Sequence, residues 1–124
     1  MWAIIAALAT ALLIKIFVLD FMIAIGYSMA PAIKPGSAII VSKIHYGFRV
    51  PGSASYLVTW REPREGDILV FYTPWGDIAV KRCVEVLAGK RFYAWGDNDA
   101  HSYDSRNYGA IEFEKVIGRV LGVR

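Results

Sequence analysis

The 124-residue chain has little cysteine, little histidine and little net charge. Its single cysteine, Cys83, has no partner for an internal disulfide. One cysteine and two histidines, His45 and His101, do not make a structural zinc site, so we expect neither a metal nor another cofactor. Fourteen basic and eleven acidic residues give a net charge of +3 without a basic cluster, which argues against nucleic acid as a partner.

The sequence also lacks internal repeats and, after residue 20, any long helical pattern. These absences exclude solenoids and doubly wound α/β folds. The composition is 56% apolar, so the chain can bury a core, and its length suits one compact domain.

The N-terminus carries the longest apolar run. Residues 1–14 hold no charge, and after Lys15 the run continues to Asp20. About nineteen helical residues reach roughly 28 Å, close to the hydrocarbon thickness of a bilayer. We therefore expect a single transmembrane anchor over residues 1–19. A cleaved secretory signal ending near residues 24–26 and a buried helix are the alternatives.

Residues 20–124 change to short β-branched and aromatic segments separated by glycine and proline, a pattern typical of strands. The predicted strands cover residues 21–25, 38–44, 67–72, 78–87, 91–95 and 116–123. The predicted turns lie at residues 34–36, 51–52, 65–66, 74–76 and 88–90. The fold class expected is mainly β: a small folded β-sheet or barrel preceded by the transmembrane helix.

The segment 26–31 places a serine between an apolar strand and a proline-containing turn. The hydroxyl of Ser28 would lie near the surface, where loop amides can point toward a developing oxyanion. Most serines in such turns bond only to the local backbone, so this segment alone does not identify a nucleophile.

The predicted strand 78–87 carries a lysine between two small residues. Because alternate strand residues face opposite ways, Lys81 shares a face with Ala79 and Cys83, and Arg82 points away. These neighbours can keep the amine from water, and a lysine has a substantial neutral fraction at pH 7 when its pKa falls by roughly three units from about 10.4. A solvent-facing lysine is the ordinary alternative. Cys83 is interpreted as a small buried strand residue.

A polar loop, residues 95–109, is rich in hydrogen-bonding side chains. Within it, Ser102 could bond to the Lys81 amine and orient it, as a third group does in activated-nucleophile sites. Two ion pairs are also predicted, Asp97 with Arg82 and Asp104 with Arg106.

Taken together and in chain order, five segments resemble bacterial type I signal peptidases, membrane-anchored Ser-Lys endopeptidases that remove signal peptides from exported proteins. The resemblance covers almost the whole chain. The matching segments are 17–37 (FVLDFMIAIGYSMAPAIKPGS), 42–51 (SKIHYGFRVP), 61–74 (REPREGDILVFYTP), 78–90 (IAVKRCVEVLAGK) and 96–111 (GDNDAHSYDSRNYGAI).

The resemblance implies a role for each matching residue. The implied set is Ser28 as nucleophile, Lys81 as general base, Ser102 as the lysine-orienting hydroxyl, and Arg82, Asp97, Asp104 and Arg106 as supporting ion pairs. Residues beside the substrate cleft or the oxyanion would be Gly26, Met29 and Pro31, with the Ser28 amide as the main oxyanion donor. No metal or other cofactor is implied.

The resemblance further implies the partners and the location. The substrates would be exported preproteins with small residues, typically alanine, at the first and third positions before the cut. The anchor would lie in the lipid bilayer of the cytoplasmic membrane, with residues 20–124 as a peptidase domain on its outer side.

Three alternatives stay open. Only fourteen residues separate Lys81 from Gly96, where many family members insert a second domain, so this minimal form also resembles the conjugation-linked peptidases that mature pilin-like substrates. A serine-histidine site would use His101 with Asp97 or Asp104. A membrane-tethered β module that only binds partners would have no activity at all.

Overall fold

The computed structural model describes residues 1–50, 53 and 55–124, and its main element is a curled antiparallel sheet. The elements are α1 (Trp2–Phe17), β1 (Leu19–Ile23), β2 (Ala38–Ser42), β3 (Gly47–Phe48), β4 (Val58–Thr59), β5 (Ile68–Tyr72), β6 (Ile78–Leu87), β7 (Arg91–Trp95), α2 (Ser105–Tyr108), β8 (Ile111–Glu112) and β9 (Val116–Val123). Short 3-10 turns cover Asp99–His101 and Phe113–Lys115.

Seven of these strands form one sheet, in the order β1-β2-β9-β5-β6-β7-β8, and β3 pairs with β4 separately. All the pairings are antiparallel. The prediction of a mainly β fold is confirmed, and β6, β7 and β9 have the predicted bounds. The predicted turn at residues 51–52 lies outside the described residues.

The first predicted strand is shifted: β1 covers Leu19–Ile23 rather than residues 21–25. Pairing with β2 starts early, because the Lys43 N–H donates to the Val18 carbonyl at 2.6 Å and Leu19 lies opposite Ser42. The strands β3, β4 and β8 were not predicted. Each has two residues, too few to show a period-two pattern.

The predicted helix over residues 1–19, long enough to span a membrane, is not found, and the pairing with β2 explains why. The helix α1 has 16 residues and ends at Phe17, since the chain that follows bonds to β2 instead of continuing the helix. Its length of about 24 Å is less than the roughly 30 Å of a bilayer core. Among the described residues, no helix is both long enough and apolar enough to cross a membrane.

The sheet is buried on both faces, and its central strand β5 contributes to both cores. Leu69 and Phe71 belong to one cluster and Val70 to the other, as the alternation of a strand requires. The first cluster contains Tyr46, Leu69, Phe71, Cys83, Phe92, Ala94, Ile111 and Val116. The second contains Met29, Ile33, Ile39, Val41, Val70 and Val120. The neighbouring strand β6 also contacts both clusters, through Cys83 in the first and Val80 against the second.

Candidate active site

Ser28 lies on a tight turn that follows β1. Gly26 turns the chain with a φ of 82°, a conformation that favours glycine. The Ala30 N–H then donates to the Tyr27 carbonyl at 3.1 Å, and the Ile33 N–H to the Met29 carbonyl at 2.9 Å. Met29 is only 4% exposed and belongs to the second core cluster, so the residue next to Ser28 anchors the turn.

Lys81 reaches the same point from the middle of β6, opposite Leu69 of β5. Its side chain is buried, with 7% of the residue exposed. A hydrogen bond of 2.7 Å joins Lys81 Nζ and Ser28 Oγ. The fold thus brings together an amine and a hydroxyl that lie 53 residues apart in the chain.

The surroundings of Lys81 favour its neutral form. Burial is the largest effect and lowers the pKa of the amine. The negative charge of Asp104 acts in the opposite direction, and the positive charge of Arg106 adds to the lowering. An amine with a lowered pKa, in contact with a hydroxyl, can remove its proton.

An open cleft of about 340 Å³ holds both groups. It is lined by Met22, Ile23, Ala24, Ile25, Gly26, Ser28, Met29, Ile33, Ile39, Ile78, Ala79, Val80, Lys81 and Tyr103. Of the predicted cleft residues, Gly26 and Met29 therefore line it. Pro31 is exposed on the surface and does not line it.

A short loop after β7 holds the serine turn from the other side. The Asn98 N–H donates to the Ser28 carbonyl at 2.8 Å, and Asn98 Nδ2 donates to the Tyr27 carbonyl at 3.1 Å. The Asp97 N–H points to Met29 Sδ at 3.4 Å. Sequence reasoning assigned no role to Asn98, because a single asparagine in a polar loop carries no distinctive signal. It is a positioning residue for Ser28.

Gly96 allows this loop to approach so closely. A Cβ atom added to Gly96 would lie 2.6 Å from the Ser28 carbonyl oxygen and 2.2 Å from Ser102 Oγ. Both distances are far below normal contact, so only glycine fits between the serine turn and Ser102. This requirement comes from packing and not from the backbone conformation, and it was not visible in the sequence.

Two ion pairs brace the loop, and they join the residues named in the sequence analysis. Arg82 donates to both carboxylate oxygens of Asp97, at 2.9 and 2.8 Å, and its third donor reaches the Gly66 carbonyl at 3.0 Å. Arg106 likewise donates to both oxygens of Asp104, at 3.0 and 2.7 Å. Such two-point contacts fix orientation as well as distance.

Asp104 is the most deeply buried charge in the described part of the site, with none of the residue exposed. Burial alone would raise its pKa, but the hydrogen bonds from Arg106, from the Ser102 hydroxyl and from the Gly96 N–H together hold that pKa well below its usual range. Asp104 also caps α2. It is therefore an ionised carboxylate around which the loop is organised.

Ser102 has a different partner from the one predicted. Its hydroxyl donates to Asp104 Oδ2 and accepts from the Gly96 N–H at 3.1 Å. Within the described part of the chain it makes no hydrogen bond to Lys81. The carboxylate takes the single hydroxyl proton, and the Gly96 N–H occupies one of the two acceptor positions of Oγ.

Among the described residues, no hydrogen bond joins the alternative base, His101, to Ser28. Its exposed ring lies 6.2 Å from the ring of Tyr27, and the carboxylates of Asp97 and Asp104 are bound to arginines. Cys83 is 1% exposed, and burial raises the pKa of its thiol to about 11, as fits a core residue. The structure thus brings a lysine, and not a histidine or a thiol, to the serine.

A hydroxyl and an amine in contact at an open cleft of a β-sheet protein are the groups that a hydrolase with an amine-activated serine requires. The chain belongs to the signal peptidase, peptidase S26, family: the family model matches residues 1–91 and 78–123.

Curated relatives agree with this assignment. The chain is 43% identical over 47 residues to signal peptidase I of Buchnera aphidicola, which covers 38% of the chain and 15% of the relative. It is 27% identical over 132 residues to thylakoidal processing peptidase 1 of Arabidopsis thaliana, which covers 74% of the chain and 38% of the relative. It is 29% identical over 99 residues to signal peptidase I of Pseudomonas aeruginosa, which covers 77% of the chain and 32% of the relative. The matches thus span well under half of each relative's length.

The close approach at Gly96 gives a first prediction. Gly96→Ala should push the loop away from Ser28, destabilise the fold by about 2 kcal/mol and reduce the peptidase activity that is proposed below more than tenfold. Gly122→Ala is the matched control, because a Cβ at Gly122 meets no atom within 4 Å. Urea unfolding and an activity assay check both variants. Equal stability and activity in the two would contradict the packing argument.

The ionised state of Asp104 gives a second prediction. Asp104→Asn should cost about 3 kcal/mol at pH 7, because a buried, paired charge is removed. The pKa of Asp104 is lower in the folded than in the unfolded chain, so its stabilisation is complete above its usual pKa of 3.8 and is lost as the pH falls below it. Urea unfolding should therefore show that the difference in the free energy of unfolding between the wild type and Asp104→Asn becomes smaller in acid.

Asp99→Asn is the control for this variant. Asp99 bonds to the same arginine, Arg106, at 2.8 Å, but its side chain is 81% exposed. An exposed pair contributes about 0.5 kcal/mol or less. If the two substitutions cost the same, burial is not what makes Asp104 important.

Proposed function

We propose that this chain is a serine endopeptidase that removes signal peptides from exported preproteins, with Ser28 as nucleophile and Lys81 as general base. The observation that carries the proposal is the 2.7 Å contact between Ser28 Oγ and Lys81 Nζ in an open cleft. Family membership supports the reaction and the substrate class.

In the first half of the reaction, neutral Lys81 takes the Ser28 hydroxyl proton while Oγ attacks the scissile carbonyl carbon. The carbonyl oxygen becomes an oxyanion, for which the Ser28 N–H is the proposed donor. Within the described residues this N–H has no other hydrogen-bond partner. The tetrahedral intermediate then collapses, Lys81 gives its proton to the departing amine, and an acyl-enzyme remains.

In the second half, water attacks the acyl-enzyme. Lys81 takes a proton from that water, the carbon–Oγ bond breaks, and the proton returns to Ser28. Both proton transfers between Lys81 and Ser28 require Nζ and Oγ to stay close to each other. Asn98, Gly96 and the buried Met29 support it by holding the Ser28 turn in place.

The substrate is proposed to bind as an extended strand. In the described part of the chain, β1 pairs only with β2, and residues 78–81 of β6 pair only with β5. Two unpaired strand edges therefore border the cleft, and an added strand can bond to their backbone. The preference for small side chains next to the cut is carried over from the family resemblance.

We also propose that α1 associates with lipid, ahead of a peptidase part formed by residues 20–124. All residues of α1 before Phe17 are exposed, and only one of them, Lys15, is charged. Lys43 Nζ fixes the end of α1 to the sheet by donating to the carbonyls of Lys15 and Ile16 at 3.0 and 3.1 Å. A location at the outer face of the cytoplasmic membrane is proposed because exported chains emerge there.

Vesicle binding tests the lipid contact. The chain should co-sediment with phospholipid vesicles, and a double variant Leu8→Glu/Leu12→Glu should not, because two charges would enter an apolar helix surface. Both leucines are exposed, at 66% and 57%, so the sheet is untouched. A wild-type chain that stays in the supernatant, or a double variant that binds equally, would contradict the proposal.

The catalytic proposal is tested with a purified preprotein that carries an Ala-x-Ala cleavage site. Ser28→Ala and Lys81→Met should each reduce cleavage at least a thousandfold, since each removes one of the two reacting groups. His101→Ala should retain cleavage. N-terminal sequencing of the product checks the position of the cut.

The pH profile separates a base from a merely structural lysine. Cleavage requires neutral Lys81, so kcat/KM should rise with pH and level off through an apparent pKa below the ordinary lysine value of 10.5. In Lys81→Met this rise should disappear from any residual activity. Cleavage by the lysine variant at the wild-type rate would exclude the dyad, and no cleavage by wild type would favour a binding module.

A further inference from the structure

Three aromatic residues form a cluster at one border of the cleft: Trp75, Tyr103 and Tyr108. Their ring centroids lie 5.8 Å apart for Trp75–Tyr103, 5.7 Å for Trp75–Tyr108 and 5.5 Å for Tyr103–Tyr108. Each ring therefore contacts both others. Tyr108 is partly buried against the first core cluster, so it fixes the other two to the sheet.

The two outer rings remain open to solvent. Trp75 is 63% exposed and Tyr103 is 59% exposed. An aromatic side chain has only two rotatable bonds, and the rings of this cluster pack against one another. Covering these rings with a ligand therefore costs little side-chain entropy. A rigid, exposed pair of rings is suited to bind an apolar group.

The cluster is continuous with the cleft. Tyr103 lines the cleft together with Ser28 and Lys81, and Ile78, also a lining residue, is 55% exposed. Trp75 lies in the turn that leads into β6, three residues before Ile78. We call the exposed apolar side chains of Trp75, Ile78 and Tyr103 the wall; Ile78 lies three residues before Lys81 along the unpaired edge of β6, and Tyr103 joins the ring cluster to the cleft.

We propose that this wall is a specificity site that binds an apolar side chain of the substrate two to four residues from the scissile bond, at a position other than the third residue before it, which is proposed to be small. The inference rests on the proposed function. A strand rises about 3.3 Å per residue, so a substrate strand beside residues 78–81 that is cut next to Lys81 passes the wall at that distance from the bond. Leucine or phenylalanine would bury its side chain against the two rings, and a serine would not.

A lipid surface is the other occupant that exposed aromatic rings suit. The position of Tyr103 favours the substrate, since one ring is shared between the cluster and the cleft that holds the reacting groups. The two occupants give different outcomes in the experiment below.

The test uses peptides with one Ala-x-Ala cleavage site, in which leucine or serine is placed in turn at the second and fourth positions before the bond and at the second to fourth positions after it. At one position the wild-type chain should have a kcat/KM about tenfold higher for leucine, the selectivity of an apolar pocket. Tyr103→Ser and Trp75→Ser should each reduce that ratio to about twofold. Tyr103→Phe, which keeps the ring, should retain it.

Trp60→Ser is the matched control. Trp60 is 55% exposed but does not line the cleft, so the leucine-to-serine ratio should stay at the wild-type value. If Tyr103→Ser does not fold, Trp75→Ser still decides. A wild-type ratio near one at every position, or equal ratios in wild type and the two serine variants, would overturn the inference.

Two further measurements distinguish a failure of this inference from a failure of the proposed function. Peptide binding to Ser28→Ala should show the same leucine preference, lost when Tyr103→Ser is added, even if the wild-type chain cleaves nothing. Absence of cleavage alone would overturn the proposed function and not the wall. If Trp75→Ser loses vesicle binding while the leucine ratio is unchanged, the rings face lipid and the inference is wrong.

Discussion

The general-base role proposed for Lys81 depends on one constraint, which is that the amine must be kept from water. In water an ammonium group is favoured, and it would be no base for the serine. Burial within β6 makes the charged form costly and lowers the pKa of Lys81. The core on both faces of the central strands is what makes this burial possible, because β6 contacts both clusters.

The charges near the lysine are arranged so that they do not undo this effect. Asp104 alone would favour protonated Lys81, yet Arg106 binds both oxygens of that carboxylate and opposes its influence on the amine. The same pairing holds the pKa of Asp104 low. One carboxylate therefore stays ionised while the nearby amine is pushed toward its neutral form. Both pKa values are thus lowered, which keeps the acid charged and favours the uncharged form of the base.

Several features of the fold were predictable, since period-two patterns bounded by glycine and proline are local. That holds for β6, β7 and β9, whose bounds match the prediction. Other features depended on partners distant in the chain. The end of α1 is set by pairing with β2, and the two-residue strands exist only because a neighbour lies alongside. The hydrogen bond of the Ser102 hydroxyl likewise depended on the folded loop, which places the Asp104 carboxylate beside it.

The sequence by itself determined the residue types, their order and the alternation of faces that turns Lys81 inward with Ala79 and Cys83. Hydropathy and period act over a few neighbouring residues, so they can be read without a structure. Only the tertiary structure decided that Lys81 meets Ser28, that Asn98 binds the serine turn and that Gly96 must have no side chain. Those contacts join segments far apart in the chain, and packing of the whole sheet sets their distances.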